Sequence, residues 1–295
     1  MIMYETTLVY TVLIVLGLCL GSFAGATVWR LRARQLRDDK KHHEHVNEKE
    51  YDELKKLTKA SLMNDRSQCL HCSYTLKWYD LIPVLSWVTL GGKCRNCRKP
   101  IGYMEPLIEL GVAAYFVVSY VFWPVELASV LAIAQFVVWL AVGVCFAILF
   151  AYDKKWFLLP DEVNFTLIVL GAVSAILIVL QAPDLFAALL SLAGSVAVLC
   201  GLYLVLYQVS KGRWIGFGDV KLGLALGLLL ADWRFAFLAL FAANLLGCLV
   251  VLGPLLQGKL KRNTRVPFGP LLILGAIIAQ LAGLFLVDQY MYFLI

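Results

Sequence analysis

The chain has 295 residues, of which 61% are hydrophobic and 16% are charged, and its formal net charge is +6. So few polar residues cannot coat a single soluble core of this size, and this excludes a water-soluble globular protein. The composition predicts an all-α polytopic membrane protein.

Apolar stretches of roughly the length that a bilayer requires, about 17 to 25 residues, predict about eight transmembrane helices. The first basic residue is Arg30, which follows the first stretch. Because a cleaved secretory signal carries basic residues in front of its apolar run, we interpret this stretch as a retained helix. The predicted spans are residues 7–29, 105–122, 127–152, 163–181, 185–208, 220–231, 233–256 and 268–287.

The basic residues fall almost entirely on one side of this topology. Sixteen lie between Arg30 and Lys99 and nine in three later hairpins, which leaves Arg234 alone on the other side. The positive-inside rule then predicts a multi-pass protein of the cytoplasmic (inner) membrane, with both termini outside and contact with anionic membrane lipid. Since the basic residues are not interleaved with exposed aromatic residues, we expect no binding of nucleic acid.

The hydrophilic residues divide the chain into three predicted parts: a first transmembrane helix at 1–29, a cytoplasmic domain at 30–104 and a seven-helix membrane domain at 105–295. The cytoplasmic domain begins with a charged arm at 32–66, whose pattern is typical of a solvated helix or hairpin. The histidine cluster in this arm, HHEH, either binds a metal or faces solvent.

Four cysteines form two CxxC motifs, Cys69 with Cys72 and Cys94 with Cys97, and 21 residues separate the motifs. Two such turns complete the tetrahedral four-thiolate site that structural zinc prefers. Because thiols stay reduced in the cytoplasm, the pattern favours zinc over disulfides. A redox pair or unligated thiols are the alternatives.

Three aspartates lie at the predicted cytoplasmic edge of the membrane. Asp161 follows Pro160 and opens a predicted span, so an N-cap role explains it. Asp153 ends a span, where the negative end of the helix dipole disfavours a carboxylate. From Asp219 to Asp232 a helix covers about 20 Å against about 30 Å of hydrocarbon, so either the helix stops short or Asp219 lies below the membrane surface.

Asp153 and Asp219 are our candidates for a catalytic pair. If the two carboxyl groups face each other, like charges keep one of them protonated, which leaves one acid and one base to activate water. This is the chemistry of an aspartic protease.

Glycines accompany Asp219 on both sides. We expect Gly216 and Gly218 to permit a tight turn and the close approach of a substrate backbone. Gly223 and Gly227 are four residues apart, a spacing that lets a neighbouring helix pack closely.

With these motifs in order, the chain resembles the bacterial type IV prepilin peptidases, the leader peptidases of the GxGD aspartyl class. The match runs nearly end to end. It is carried by Gly21-Ser22-Phe23 with Arg30-Leu31, the two CxxC motifs around IPVLSW and LGGKC, PLIEL around Glu109, DKKWFLLPDEVN, GFGDVKLGLALG, and RVPFGP from Arg265 to Pro270.

The resemblance implies an eight-helix membrane enzyme that removes a short basic leader from type IV prepilins and pseudopilins. It places the catalytic aspartates at Asp153 and Asp219. It also implies N-methylation of the new N-terminus with S-adenosylmethionine, although no motif identifies the residues that bind this cofactor. Glu105 stands where the family commonly has tyrosine; Glu105 and Glu109 either orient the amine or cofactor or anchor the helix at the interface.

Two other classes of protein remain open from the residues alone. One is a membrane adaptor whose zinc knuckle docks a cytoplasmic partner while the aspartates cap helices. The other is a proton-coupled transporter, since intramembrane carboxylates also mark proton relays. The absence of an inverted repeat in the sequence disfavours the transporter.

Overall fold

The computed structural model describes residues 2–58, 66–258 and 266–294, and these are almost entirely helical. Two isolated β-bridges, and no strand, occur in the described ranges. The α-helices are α1 (Ile2–Lys41), α2 (Glu48–Leu54), α3 (Leu85–Thr89), α4 (Met104–Val121), α5 (Val130–Trp156), α6 (Asp161–Gln181), α7 (Leu185–Val196), α8 (Leu202–Ser210), α9 (Phe217–Leu230), α10 (Trp233–Leu256) and α11 (Gly269–Leu294).

The chain is a multi-pass membrane protein. Within the described residues, seven helices are long and apolar enough to cross a bilayer, and α7 and α8 form one of them, continued through a π-helical turn at Ala197–Gly201. The all-helical prediction is confirmed. The eighth predicted span is the 14-residue helix α9, about 21 Å long, which is shorter than the hydrocarbon core.

The chain forms two compact units, Met1–Val117 and Val118–Ile295. In the first unit, α1 continues beyond the predicted boundary at residue 29 and makes a hairpin with α2. Ala33, Leu36 and Leu54 are each at most 2% exposed in this hairpin. Up to residue 58, the charged arm is therefore a hairpin with a small apolar core of its own.

Glycines bring α1 against α4 within the first unit. A Cβ atom added to Gly17 would lie 2.6 Å from the Cα of Ala113, and one added to Gly21 would lie 2.6 Å from the Cα of Glu109. Contacts this short exclude any larger residue at either glycine, so the Gly21-Ser22-Phe23 motif is a helix-packing site.

Close backbone packing also organises the second unit. A Cβ atom added to Gly223 would lie 2.7 Å from the Leu199 carbonyl oxygen, and one added to Gly227 would lie 2.9 Å from the Val196 Cα. The prediction that these two glycines let a helix pack closely on α9 is confirmed. The opposing segment includes the π-helical turn, a local irregularity that widens the helix where α9 approaches.

Candidate active site and metal centre

Asp153 lies in the last turn of α5 and is 6% exposed. Its Oδ2 accepts a hydrogen bond of 3.0 Å from the backbone N–H of Gly269, the first residue of α11. The helix ends at Phe157, whose left-handed backbone lets its N–H donate to the Asp153 carbonyl oxygen. One end of α5 thus holds a buried carboxyl group whose partner comes from a distant part of the chain.

Asp219 is the third residue of α9, and its Oδ2 accepts a hydrogen bond of 3.2 Å from the Gly216 N–H. The Asp219 N–H donates to the Gly216 carbonyl oxygen, three residues earlier, so the chain turns tightly here, although neither Gly216 nor Gly218 has positive φ. Gly218 also allows close packing, because an added Cβ would lie 3.0 Å from the Leu159 side chain. The glycines of GFGD therefore let the start of α9 approach the loop after α5.

The structure brings Asp153 and Asp219 into one neighbourhood. The side chain of Leu159 lies against both Gly218 and Gly269, the neighbours of the two aspartates. Asp219 also lies within electrostatic range of Asp153. Two carboxyl groups from separate helices thus lie near each other, and each accepts a hydrogen bond from a backbone N–H.

Asp161 has a different environment from this pair. Pro160 occupies the N-cap position of α6, so the expected N-cap role of Asp161 is wrong, and its carboxylate forms an ion pair of 2.7 Å with Lys221. The Lys221 ammonium also lies over the rings of Phe165 and Phe217. Asp161 and Lys221 thus tie the starts of α6 and α9 together.

Besides the indole N–H of the half-buried Trp123, two fully buried residues of the second unit carry polar groups with no hydrogen-bond partner among the described residues. They are the hydroxyl of Tyr203, a residue 2% exposed, and the amide of Asn164, a residue 0% exposed. The Tyr203 hydroxyl lies within electrostatic range of Asp219, and the Tyr203 ring is 5.9 Å from the ring of Phe268. Sequence reasoning missed both residues, because an unpaired hydroxyl or amide appears only in the folded chain.

The four cysteines of the CxxC motifs form a group able to hold a metal ion. Their Sγ atoms all lie within 4.8 Å of one another, and no other such group of ligands occurs in the part of the chain that the structure describes. The Cys69–Cys97 and Cys72–Cys94 sulfur pairs are each 3.9 Å apart. The predicted joining of the two motifs into one centre is confirmed, whereas the histidine cluster at the end of α1 forms no such site.

The two cysteine turns have matching backbones. In each, the residue after the second cysteine has positive φ and donates its N–H to the carbonyl oxygen of the first cysteine: Ser73 to Cys69 and Arg98 to Cys94. Repeating one turn twice presents four thiols to one point. The structure therefore has the two-knuckle geometry that the spacing predicted.

The thiols differ in their electrostatic environment. The backbone N–H of Tyr74, together with the Asn96 amide, lowers the pKa of Cys72 to about 6. Burial raises the pKa of Cys69 to about 12 when no metal is bound. A cation at the centre would favour thiolates at all four positions, since metal binding displaces thiol protons.

The first unit also contains a cavity of about 210 Å³ beside the cysteine turns. Glu105 and Glu109 both line it, and the Oε2 atom of Glu105 is buried with no partner among the described residues. The Glu105 Oε1 accepts a hydrogen bond of 2.8 Å from the Trp29 indole N–H. Glu109, 7% exposed, accepts one of 2.7 Å from the Val84 N–H.

Comparison with known proteins shows that two family models match this chain. The model of the bacterial peptidase A24 N-terminal domain matches residues 15–123, and that of the type IV leader peptidase family matches residues 139–252. A prepilin leader peptidase/N-methyltransferase of Burkholderia pseudomallei (strain 1026b) is 33% identical over 267 residues, which cover 89% of this chain and 82% of the relative.

A second relative is the type 4 prepilin-like proteins leader peptide-processing enzyme of Escherichia coli O78:H11 (strain H10407 / ETEC). It is 30% identical over 272 residues, which cover 88% of this chain and 89% of the relative. A prepilin leader peptidase/N-methyltransferase of Dichelobacter nodosus is 30% identical over 286 residues, covering 91% of this chain and 93% of the relative. No solved structure matches the chain.

The fold and the two sites define a multi-pass helical membrane protein with two neighbouring carboxyl groups in its second unit and a four-cysteine metal centre in its first. The matches to both halves of the chain identify the family within this class. The chain belongs to the type IV leader peptidase family, and it is a membrane peptidase with N-methyltransferase activity. The resemblance inferred from the motifs is confirmed.

Proposed function

We propose that this protein removes the basic leader peptide of type IV prepilins and pseudopilins, with Asp153 and Asp219 activating the water that cleaves the peptide bond. The observation that carries the proposal is the pairing of the two carboxyl groups. They come from separate helices, each accepts a backbone N–H, and the charge of one acts on the other.

The chemistry requires the two carboxyl groups to hold one proton between them, the usual state of neighbouring carboxyl groups in a site of low dielectric. The ionised group takes a proton from water as it attacks the peptide carbonyl carbon. The protonated group donates to the carbonyl oxygen, and the leaving amine then receives the proton taken from water. As the C–N bond breaks, the group that protonated the carbonyl oxygen takes a proton back from the resulting gem-diol, so both carboxyl groups return to their starting states.

Tyr203 supplies a further group to this mechanism. Its hydroxyl has no partner among the described residues and lies within electrostatic range of Asp219. A free donor at this position is suited to bind the oxygen that gains negative charge when water attacks, and such preorganised donors contribute strongly to catalysis. The Tyr203 ring packs near the ring of Phe268, the residue that precedes Gly269, and this contact holds the hydroxyl in the same region as Gly269.

The distribution of basic residues supports the location of this reaction. We infer that the protein lies in the cytoplasmic (inner) membrane with both termini outside, because 25 of its 26 Lys and Arg residues fall on one side of the eight-helix topology. A basic leader is retained on the same side by the same rule. The bond after the leader therefore lies at the cytoplasmic edge of the membrane, where the proposed cleavage requires the aspartate pair to be.

We infer that the four-cysteine centre holds zinc with a structural role. Tetrahedral zinc with bonds of about 2.3 Å to sulfur separates its ligands by about 3.8 Å. Two sulfur pairs at 3.9 Å match this separation, and all four Sγ atoms lie within 4.8 Å of one another. Since all four ligands come from the protein, the ion has no open position for a substrate.

The methyltransferase activity would use the cavity of the first unit. S-adenosylmethionine, when bound, supplies an electrophilic methyl group from a positively charged sulfonium. The cavity of about 210 Å³ is lined by Glu105, whose buried Oε2 has no partner among the described residues and is suited to bind a cation. A carboxylate here suits the ammonium of a new N-terminus and can accept its proton, which leaves a nucleophilic nitrogen.

The experiment that tests the proposal incubates the purified protein with a prepilin and S-adenosylmethionine and measures the intact mass of the product. Loss of the leader alone reports the peptidase, and one additional methyl group reports the second activity. Full cleavage by both Asp153→Asn and Asp219→Asn would show that the aspartate pair does not carry the reaction.

A further inference from the structure

The segment between the two cysteine turns carries an exposed apolar surface. Trp78 is 76% exposed, Leu85 57% and Val88 59%, and Leu81 and Ile82 are also exposed. We call these five residues the apolar face. Soluble surfaces rarely gather so many large apolar side chains in one short segment, and such patches usually mark a binding surface.

Two hydrogen bonds fix this segment beside the start of α4. The Val84 N–H donates to Glu109 Oε2 at 2.7 Å, and the Trp87 indole N–H donates to the Gly102 carbonyl oxygen at 2.7 Å. Val84 has a φ of 58°, which a β-branched residue rarely adopts, so the surrounding contacts must hold this turn in place. The ring of Trp87 also lies 5.3 Å from the ring of Tyr103.

The length of α4 sets the depth of the segment. Its 18 residues span about 27 Å, close to the roughly 30 Å of hydrocarbon, so α4 must use its whole length to cross. Met104 therefore lies at the boundary of the core. Glu109 is five residues further along, about 7.5 Å, and the bond to Val84 brings the segment to that level. Interfacial segments bury their apolar faces by about 5 to 10 Å.

The charged groups of the segment indicate the charge of the lipid headgroups that it would contact. Asp80 is buried, and its carboxylate forms an ion pair of 2.7 Å with Arg95. The negative charge of Asp80 therefore faces the cysteine turns. Between residues 67 and 103 there are five basic residues and one acidic residue, and Lys77, Lys93 and Arg98 are exposed. A net positive segment that carries an apolar face matches the anionic headgroups of a membrane surface.

We propose that the apolar face at residues 78–88 inserts into the adjoining membrane leaflet as an interfacial anchor, with anionic phospholipid as its occupant. The anchor adds no transmembrane span. It holds the four-cysteine centre and the cavity with Glu105 against the membrane surface, where an amine at the start of an apolar helix would be presented. Neither aspartate takes part, so the anchor is independent of the proposed cleavage mechanism.

The test places a fluorescent amino acid at Leu85 by codon suppression, which leaves the native cysteines intact. A matched control carries the same label at Lys49, which is exposed in α2 of the same unit and lies outside residues 67–103. The full-length protein is reconstituted in vesicles of phosphatidylethanolamine and phosphatidylglycerol that contain lipids brominated near the headgroup. We expect quenching at position 85 to exceed that at position 49 by about threefold, because only the former lies below the headgroups.

Equal quenching at the two positions, or none at position 85, would overturn the proposal. Trp78→Phe gives a second reading without a label, since this variant should lose part of the lipid-dependent quenching of the native tryptophan emission. Replacing phosphatidylglycerol by phosphatidylcholine should reduce the quenching at position 85, and unchanged quenching would refute the anionic preference. If the label becomes shielded from a water-soluble quencher only when prepilin is added, the face binds substrate and the lipid proposal is wrong.

Discussion

Gly269 donates its backbone N–H to the Asp153 carboxylate at 3.0 Å, and a Cβ atom added to Gly269 would lie 2.7 Å from the same oxygen. Gly269→Ala therefore cannot be accommodated without moving the Asp153 carboxyl group. Since a displacement of about 1 Å can cost about 100-fold in rate, we expect a loss of that order in kcat for leader cleavage. Intact-mass kinetics measure it.

Gly253→Ala provides a matched control for this substitution. Gly253 lies within α10, and an added Cβ there would meet nothing within 4 Å. Its cleavage rate should equal that of the wild type, and its thermal stability should be equal or slightly higher, because alanine favours a helix. A comparable loss of activity in both variants would mean that the Gly269 contact is not specific to the site.

Asp153→Asn and Asp219→Asn should each lower the cleavage rate by about 100- to 10,000-fold, the usual contribution of general acid–base catalysis. Asparagine retains the acceptor oxygen for the backbone N–H, so both variants should still insert and fold. Asp161→Asn is the control, since it removes only a partly exposed ion pair with Lys221. Such a pair is worth about 0 to 1 kcal/mol, and cleavage should persist. A dead Asp161→Asn variant with normal stability would contradict the choice of pair.

Local patterns predicted most of the architecture. Apolar lengths indicated the helices, and the cysteine spacing indicated one metal centre, because each depends on residues close together in the sequence. The dipole argument singled out Asp153 because a carboxyl group at a helix C-terminus has an unfavourable position whatever the tertiary fold.

The remaining features depend on contacts between distant residues. Asp153 and Gly269 are 116 residues apart, and no periodicity could have joined them, although the motif RVPFGP marked the region. The charged arm was expected to be a solvated helix or hairpin, but the burial of Leu36 of α1 against α2 depends on how the two helices meet. The contact of Gly218 with Leu159 was not foreseen, because it joins the start of α9 to the loop after α5.

Tyr203→Phe separates a catalytic role from a structural one. In the resting protein the hydroxyl has no partner among the described residues, so its removal should leave the melting temperature unchanged or raise it. If the hydroxyl binds the developing oxyanion, kcat should fall by about 100-fold while KM changes little. Tyr207→Phe, one turn further along α8, is the control and should match the wild type in both measurements. An unaltered kcat in Tyr203→Phe would exclude the hydroxyl from the mechanism.

Removal of zinc should affect the two activities unequally. Chelation, or Cys94→Ser, is expected to disorder residues 69–103, because the four thiolates hold the two turns together. The cavity is lined by this segment, whereas both aspartates lie in the other unit. Methylation should therefore fall more than cleavage, as measured by intact mass of the product, and the metal content follows from elemental analysis. Equal loss of both activities would contradict the separation.

Glu105→Gln tests the cavity directly. The amide retains an acceptor for the Trp29 indole N–H, so the fold should be preserved, but the negative charge on the buried Oε2 is lost. A cation in the cavity would then lose a charged partner, typically worth about 1.5 to 3 kcal/mol, or about 10- to 100-fold in affinity. We expect the methylated fraction of product to fall while the cleaved fraction does not. Glu126→Gln, at an exposed position of the other unit, is the matched control.

Calorimetric titration with S-adenosylmethionine, without any peptide substrate, reports whether Glu105 contacts the methyl donor or the amine. Weakened binding of the donor assigns Glu105 to the donor, and unchanged donor binding with reduced methylation assigns it to the amine. Normal methylation by Glu105→Gln would remove this cavity from the reaction.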